Sequence, residues 1–135
     1  VTRLTAFVPD FGAAVHHEDE RRMPESLYNE KERQMKVIIE LGVVPIGVGV
    51  SVSKYVAACQ RVVEEAGLEH QLHAYGTNIQ GEWDDVFAAV KRCHEVVHEM
   101  GAPRIFTVLK VGTRTDREQT MNDKIKSVES KLGNE

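Results

Sequence analysis

Val56-Ala57-Ala58-Cys59-Gln60-Arg61-Val62-Val63-Glu64-Glu65-Ala66-Gly67 is echoed 34 residues later by Val90-Lys91-Arg92-Cys93-His94-Glu95-Val96-Val97-His98-Glu99-Met100-Gly101, with six identities in twelve positions. Both segments carry apolar residues at helical spacing and stop at a glycine, the residue that most easily takes the left-handed turn after a helix. Upstream of the first, Lys36 to Val44 is β-branched and alternates as a sheet strand should, and Pro45-Ile46-Gly47-Val48-Gly49 ends it. Ser51 or Ser53 then caps the helix. Leu68 to Ala74 and Thr77 to Gln80 read as two short strands turning at Tyr75-Gly76. The second helix opens at Gly81-Glu82-Trp83-Asp84-Asp85, where three carboxylates suit the helix dipole, and Trp83, Val86, Phe87, Val90, Cys93 and Val97 form its apolar stripe. Arg104 to Val111 is a fourth strand. Gly112 to Gln119 is a polar loop, and Thr120 to Leu132 is a terminal helix with Met121, Ile125, Val128 and Leu132 on one side.

The order β-α-β-β-α-β plus a helix, with two related halves, predicts an α+β fold: a ferredoxin-like sandwich in which both helices cover one face of an antiparallel sheet. Ile105, Thr107, Leu109 and Val111 alternate with Phe106 and Val108, so both faces of the last strand carry apolar residues. A bare apolar outer face is usually covered by another subunit, which predicts an oligomer. Residues 1–34 differ from this pattern. They hold five basic and seven acidic residues, little that can be buried, and read as a flexible or loosely docked extension before a folded domain at 35–135.

The whole chain has 17 Lys and Arg against 21 Asp and Glu, a net charge of −4, and 41% hydrophobic residues. An acidic balance argues against nucleic acid as partner, and no apolar run approaches the roughly 18–20 residues that span a bilayer. Two cysteines in 135 residues are no disulfide framework and point to a cytoplasmic protein with reduced thiols. Cys59 and Cys93 occupy equivalent positions of the two helices and read as core.

His94-Glu95-Val96-Val97-His98 spells the H-E-x-x-H of zinc hydrolases. Here His94 shares an angular sector with Phe87 and Val90, facing the sheet, and no histidine follows to supply a third ligand. The match reads as accidental, with neither a metal nor a catalytic residue assigned. His70 and His73 lie three apart on a strand, so they leave opposite faces and cannot share a metal. Two strand-to-helix junctions are better candidates for a ligand. The glycine loop before Ser51 and Ser53 offers backbone N–H groups and hydroxyls. The stretch Gly76 to Asp85 concentrates a hydroxyl, an amide, an aromatic ring and several carboxylates beside Tyr75.

Val44-Pro45-Ile46-Gly47, Ser51-Val52-Ser53-Lys54-Tyr55-Val56, Gly76-Thr77, Gly81 to Val86, His94-Glu95, Val111 to Asp116 and Gln119-Thr120 together resemble the small thiamine-binding (YkoF-like) proteins. The Val-Gly-Thr-Arg-Thr-Asp stretch and the second histidine at 98 look most like the fungal branch tied by name to cell-wall biogenesis. The resemblance runs from about Val37 to Leu132. It implies a ferredoxin-like subunit, sheet-paired dimers and a homotetramer. It also implies binding of thiamine, or of its aminopyrimidine moiety (hydroxymethylpyrimidine), as a ligand rather than a cofactor of catalysis. Asn78 and Gln80 depart from the pattern, standing where many relatives show an aliphatic residue and glutamate.

On that reading Ser51, Ser53, Thr77 and Asn78 supply groups to read a pyrimidine edge, Tyr75 and Trp83 an aromatic wall, and Glu82 a carboxylate for the thiazolium cation. The alternatives are a structural or interaction oligomer without a small ligand, and, behind it, the zinc hydrolase.

Overall fold

Lys36–Ile46 forms strand β1, whose alternation places Val37, Ile39 and Leu41 in the interior and Val44 and Ile46 in solvent. A computed structural model describes residues 34–133; the predicted extension at 1–34 lies, apart from Gln34, outside the described residues. After β1 come α1 (Ser53–Glu65), β2 (Glu69–His73), β3 (Gly76–Glu82), α2 (Trp83–Glu99), β4 (Arg104–Gly112) and α3 (Met121–Leu132). The strands lie in the order β2-β3-β1-β4, each pair antiparallel, which is the predicted ferredoxin-like sheet with a helix appended.

The register aligns the inward-facing side chains in rows. Ile39 stands opposite Ile79 on one side and Val111 on the other, and Leu41 stands between Thr77 and Leu109. Onto these rows α1 brings Tyr55, Cys59, Val62 and Val63, and α2 brings Val86, Ala89, Val90, Cys93 and Val97. The two predicted left-handed stops are present, Gly67 at φ 68° and Gly101 at φ 102°. Gly76 is required for a different reason: a Cβ there would lie 2.9 Å from the backbone oxygen of Leu41.

Local details differ from the sequence reading. β1 runs through Pro45 to Ile46 instead of stopping at Val44. Its pairing with β3 ends at Leu41, so at Pro45 one side of β1 is a free edge, where a residue without an N–H is tolerated. No serine caps α1. The N-cap is Val52, whose carbonyl accepts from Tyr55 and Val56, and the Ser51 and Ser53 hydroxyls face each other at 3.4 Å. Glu82 is the N-cap of α2, with Asp84 and Asp85 in the first turn, so the carboxylates gather at the positive end of the helix as expected.

The loop after β4 is tied by Arg114, which donates to both Asp116 oxygens and to Gln119. The guanidinium holds the Asp116 carboxyl down to about 2. Thr120 and Asp123 then close a capping box, each side chain bonding the other's backbone N–H. The first turn of α3 is fastened to β3 by the Met121 N–H, which donates to Gln80 Oε1 at 2.7 Å. The other end of the same amide donates to Glu69 on β2. No α3 side chain is buried, and Ile125, Val128 and Leu132 remain exposed. On the sheet face away from α1 and α2, Val44, Ile46, Phe106 and Val108 are exposed as well, Phe106 at 58%.

Ile79 is fully buried where the rows of β1 and β3 meet. Ile79→Ala is expected to cost about 2–5 kcal/mol, through lost burial and a residual cavity. Urea unfolding followed by circular dichroism measures it.

Candidate ligand-binding site

Helix α1 leaves a strip of its surface uncovered beside the five-residue edge strand β2. Ser51, Ser53, Val56, Gln60, Arg61 and Glu64 from the helix side and Leu72 from β2 line a recess of about 670 Å³ there. The lining mixes apolar walls with a few polar groups, the composition of small-molecule sites. Neither serine is spent on capping α1, and the two hydroxyls, bonded only to each other at 3.4 Å, stand at one end of the recess. Halfway along, the Gln60 amide donates to the Thr77 hydroxyl at 2.7 Å. Thr77 is a buried polar side chain, 4% exposed, and Gln60 connects it to the lining.

The seven residues anticipated from sequence do not converge in one recess. Ser51 and Ser53 line it, and Thr77 stands behind Gln60. Asn78 faces the other side of the sheet, where it lines a smaller recess of about 370 Å³ beneath α3, together with Glu40, Lys110 and Lys124. Glu82 pairs with Lys36 at 2.9 Å, a contact that holds the lysine above its ordinary pKa. Trp83 stacks on Phe87 with ring centroids 4.5 Å apart and packs against the core. Tyr75 stands 95% exposed in the turn between β2 and β3.

Gln60 was not anticipated. Its signal was present in the sequence: four residues after Val56 and three before Val63, it is a polar side chain on the margin of the apolar stripe, where something polar must receive it. Arg61, Glu64 and Leu72 carried no comparable signal.

The histidines follow the strand and helix geometry. His94 faces the sheet and shares a 2.6 Å hydrogen bond with the Thr107 hydroxyl, and His98 donates from Nδ1 to the Ala102 carbonyl at 2.7 Å. His70 leans toward Glu64 on the helix side, whereas His73 leans toward Glu40 on the outer face. Among the described residues no three His, Cys, Asp or Glu side chains gather as a metal would require. Cys59 and Cys93 are buried free thiols meeting between α1 and α2. The Cys93 thiol donates to the Cys59 carbonyl at 3.9 Å, and the neighbouring Cys59 side chain together with burial pushes the Cys93 thiol far above its ordinary value.

The model of a thiamine-binding protein family matches residues 39–129, from within β1 to within α3. The chain belongs to this family. A UPF0045 protein of Synechocystis is 66% identical over 102 residues, which cover 76% of this chain and 84% of that one. The fungal UPF0045 protein ECM15 of Eremothecium gossypii is 39% identical, over 73% of this chain and 95% of its own length. Among solved structures, a hypothetical protein from Methanocaldococcus jannaschii superposes with a TM-score of 0.67 at 34% identity, over 70% of this chain and 97% of its own. The matched segment contains every residue of the recess beside α1.

Replacing Gln60 with leucine strands the Thr77 hydroxyl in the interior. Gln60→Leu is expected to lower stability by about 1–3 kcal/mol, and adding Thr77→Val to restore most of the loss. The double-mutant cycle is read from chemical denaturation midpoints.

Proposed function

We propose that this protein binds thiamine, or its aminopyrimidine half, in the recess beside α1, and acts as a carrier or sensor rather than as an enzyme. The observation that carries the reading is the coincidence of two serine hydroxyls that cap no helix, the Gln60 amide and apolar walls within the segment the thiamine-binding family model matches. An aminopyrimidine presents an amino donor and ring-nitrogen acceptors, which two hydroxyls and an amide can satisfy together. Val56 and Leu72 offer apolar contact to a flat ring, and Glu64 a carboxylate for the thiazolium cation. The groups that could suggest hydrolysis are engaged elsewhere: His94 with Thr107, His98 with Ala102.

The assembly belongs to the same reading: a cytoplasmic homotetramer built from sheet-paired dimers, with the exposed Val44, Ile46, Phe106 and Val108 face inside it. A lone chain would leave this face and the α3 stripe in water, and burying both stabilises association at about 25 cal/mol per Å² of apolar surface before the entropy of assembly is subtracted.

Isothermal titration of the full chain with thiamine is expected to give saturable heat, and Ser51→Ala combined with Ser53→Ala to weaken binding roughly tenfold, about 1 kcal/mol or less per lost hydrogen bond. No heat at millimolar thiamine on folded protein would overturn the reading. Light scattering on the eluting protein should give four chain masses, and Phe106→Glu with Val108→Lys should shift it toward smaller species.

A further inference from the structure

We infer that Thr77 is a positioning residue: it holds the Gln60 amide with its oxygen toward the recess, and so makes the site select a ring that carries an exocyclic amine over one that carries oxygen there. This rests on the thiamine reading and extends it to which edge of the ligand is read. The register sets Thr77 between Leu41 of β1 and Leu72 of β2. Among the described residues it is the only buried polar one. Packing gives no reason for a hydroxyl at this position. Valine has nearly the same shape, and replacing both members of a buried polar pair by apolar groups costs little. What the pair does achieve is to fix the direction of an amide.

Gln60 Nε2 donates to Thr77 Oγ1 at 2.7 Å. Among the described residues, His73 Nε2 and Glu82 Oε2 are the only side-chain polar atoms buried without a partner. Gln60 Oε1 receives no described donor and is neither of these, so it is open to water in the recess that Gln60 lines. A free glutamine turns its amide over and serves donors and acceptors alike. One anchored through its nitrogen presents a fixed acceptor.

The serine end of the recess does not make this distinction. The Ser51 and Ser53 hydroxyls, 3.4 Å apart, donate or accept as they rotate. Arg61 only donates, and Glu64, the other group that only accepts, is the carboxylate read above for the thiazolium. An aminopyrimidine offers its amine hydrogens to Gln60 Oε1. A ring with a carbonyl oxygen in the same place sets two acceptors against each other and leaves both unpaired.

The test titrates the full chain by calorimetry, at one pH and ionic strength, with thiamine and with oxythiamine, in which a carbonyl oxygen replaces the pyrimidine amine. The expected result is a preference of about tenfold for thiamine. Thr77→Val keeps the shape and removes the hydroxyl; the released amide can then turn its nitrogen to the carbonyl, and the preference is expected to shrink to within about threefold. Thr77→Ser keeps the hydroxyl and is expected to keep the preference. Gln60→Leu paired with Thr77→Val, which strands no hydroxyl, should show none. A loss of stability alone lowers both affinities together and leaves their ratio unchanged.

If thiamine binds the parent protein and oxythiamine binds equally well, the selectivity inference fails while the vitamin reading stands. If the preference survives in Thr77→Val, Thr77 does not position the amide. If it survives in the paired variant, another group reads the amine. If neither compound binds the parent protein, the vitamin reading itself has failed, and this inference with it.

Discussion

Strand β1 is flanked on both sides, and its inward row is the constraint on which the molecule depends. Ile39 and Leu41 are nearly inaccessible because Ile79 and Thr77 stand opposite on β3, Val111 and Leu109 on β4, and two helices close over them. A slip of one residue in either pairing would turn this row to the outer face. The helices contribute matched halves of the cover, down to Cys59 and Cys93, which meet where α1 and α2 touch. The echo at 34 residues is therefore a record of packing: both helices meet the same sheet and each other, and a cysteine recurs where they touch.

The fold was legible because its signals are periodic. The helical stripes, the glycines at 67 and 101, and the alternation of β1 each follow from a single element and its need to bury one side. Details that depend on a partner element were not legible in this way. The end of β1 depends on where β3 stops pairing, and Pro45 reads as a terminator only if β1 is taken to be central along its whole length. The expected serine cap rests on a strong statistical preference, yet the first turn of α1 is held by the Val52 carbonyl.

The candidate site was harder for a geometric reason. A motif that is continuous in sequence is divided by a strand: Thr77 faces α1 while Asn78 faces the opposite surface. Glu82 was available in sequence terms, but the register brings it opposite Lys36, and the two charges neutralise each other. Trp83 packs against the core and stacks on Phe87. The anticipated residues that line the recess are the serines at the junction between β1 and α1, a place where side chains are not committed to either sheet face. Gln60 joined them because a buried threonine hydroxyl needed a partner.

Gln80 has a wider bearing on the family. Its amide works as a two-ended connector, the nitrogen reaching Glu69 on the edge strand and the oxygen receiving the first N–H of α3. A carboxylate could serve the helix but would meet Glu69 as a like charge. Glutamate in this place would keep the acceptor for the helix but would need a donor in place of Glu69 on the edge strand. One side chain near the end of β3 thus joins the edge strand to the last helix without entering the core of the sandwich.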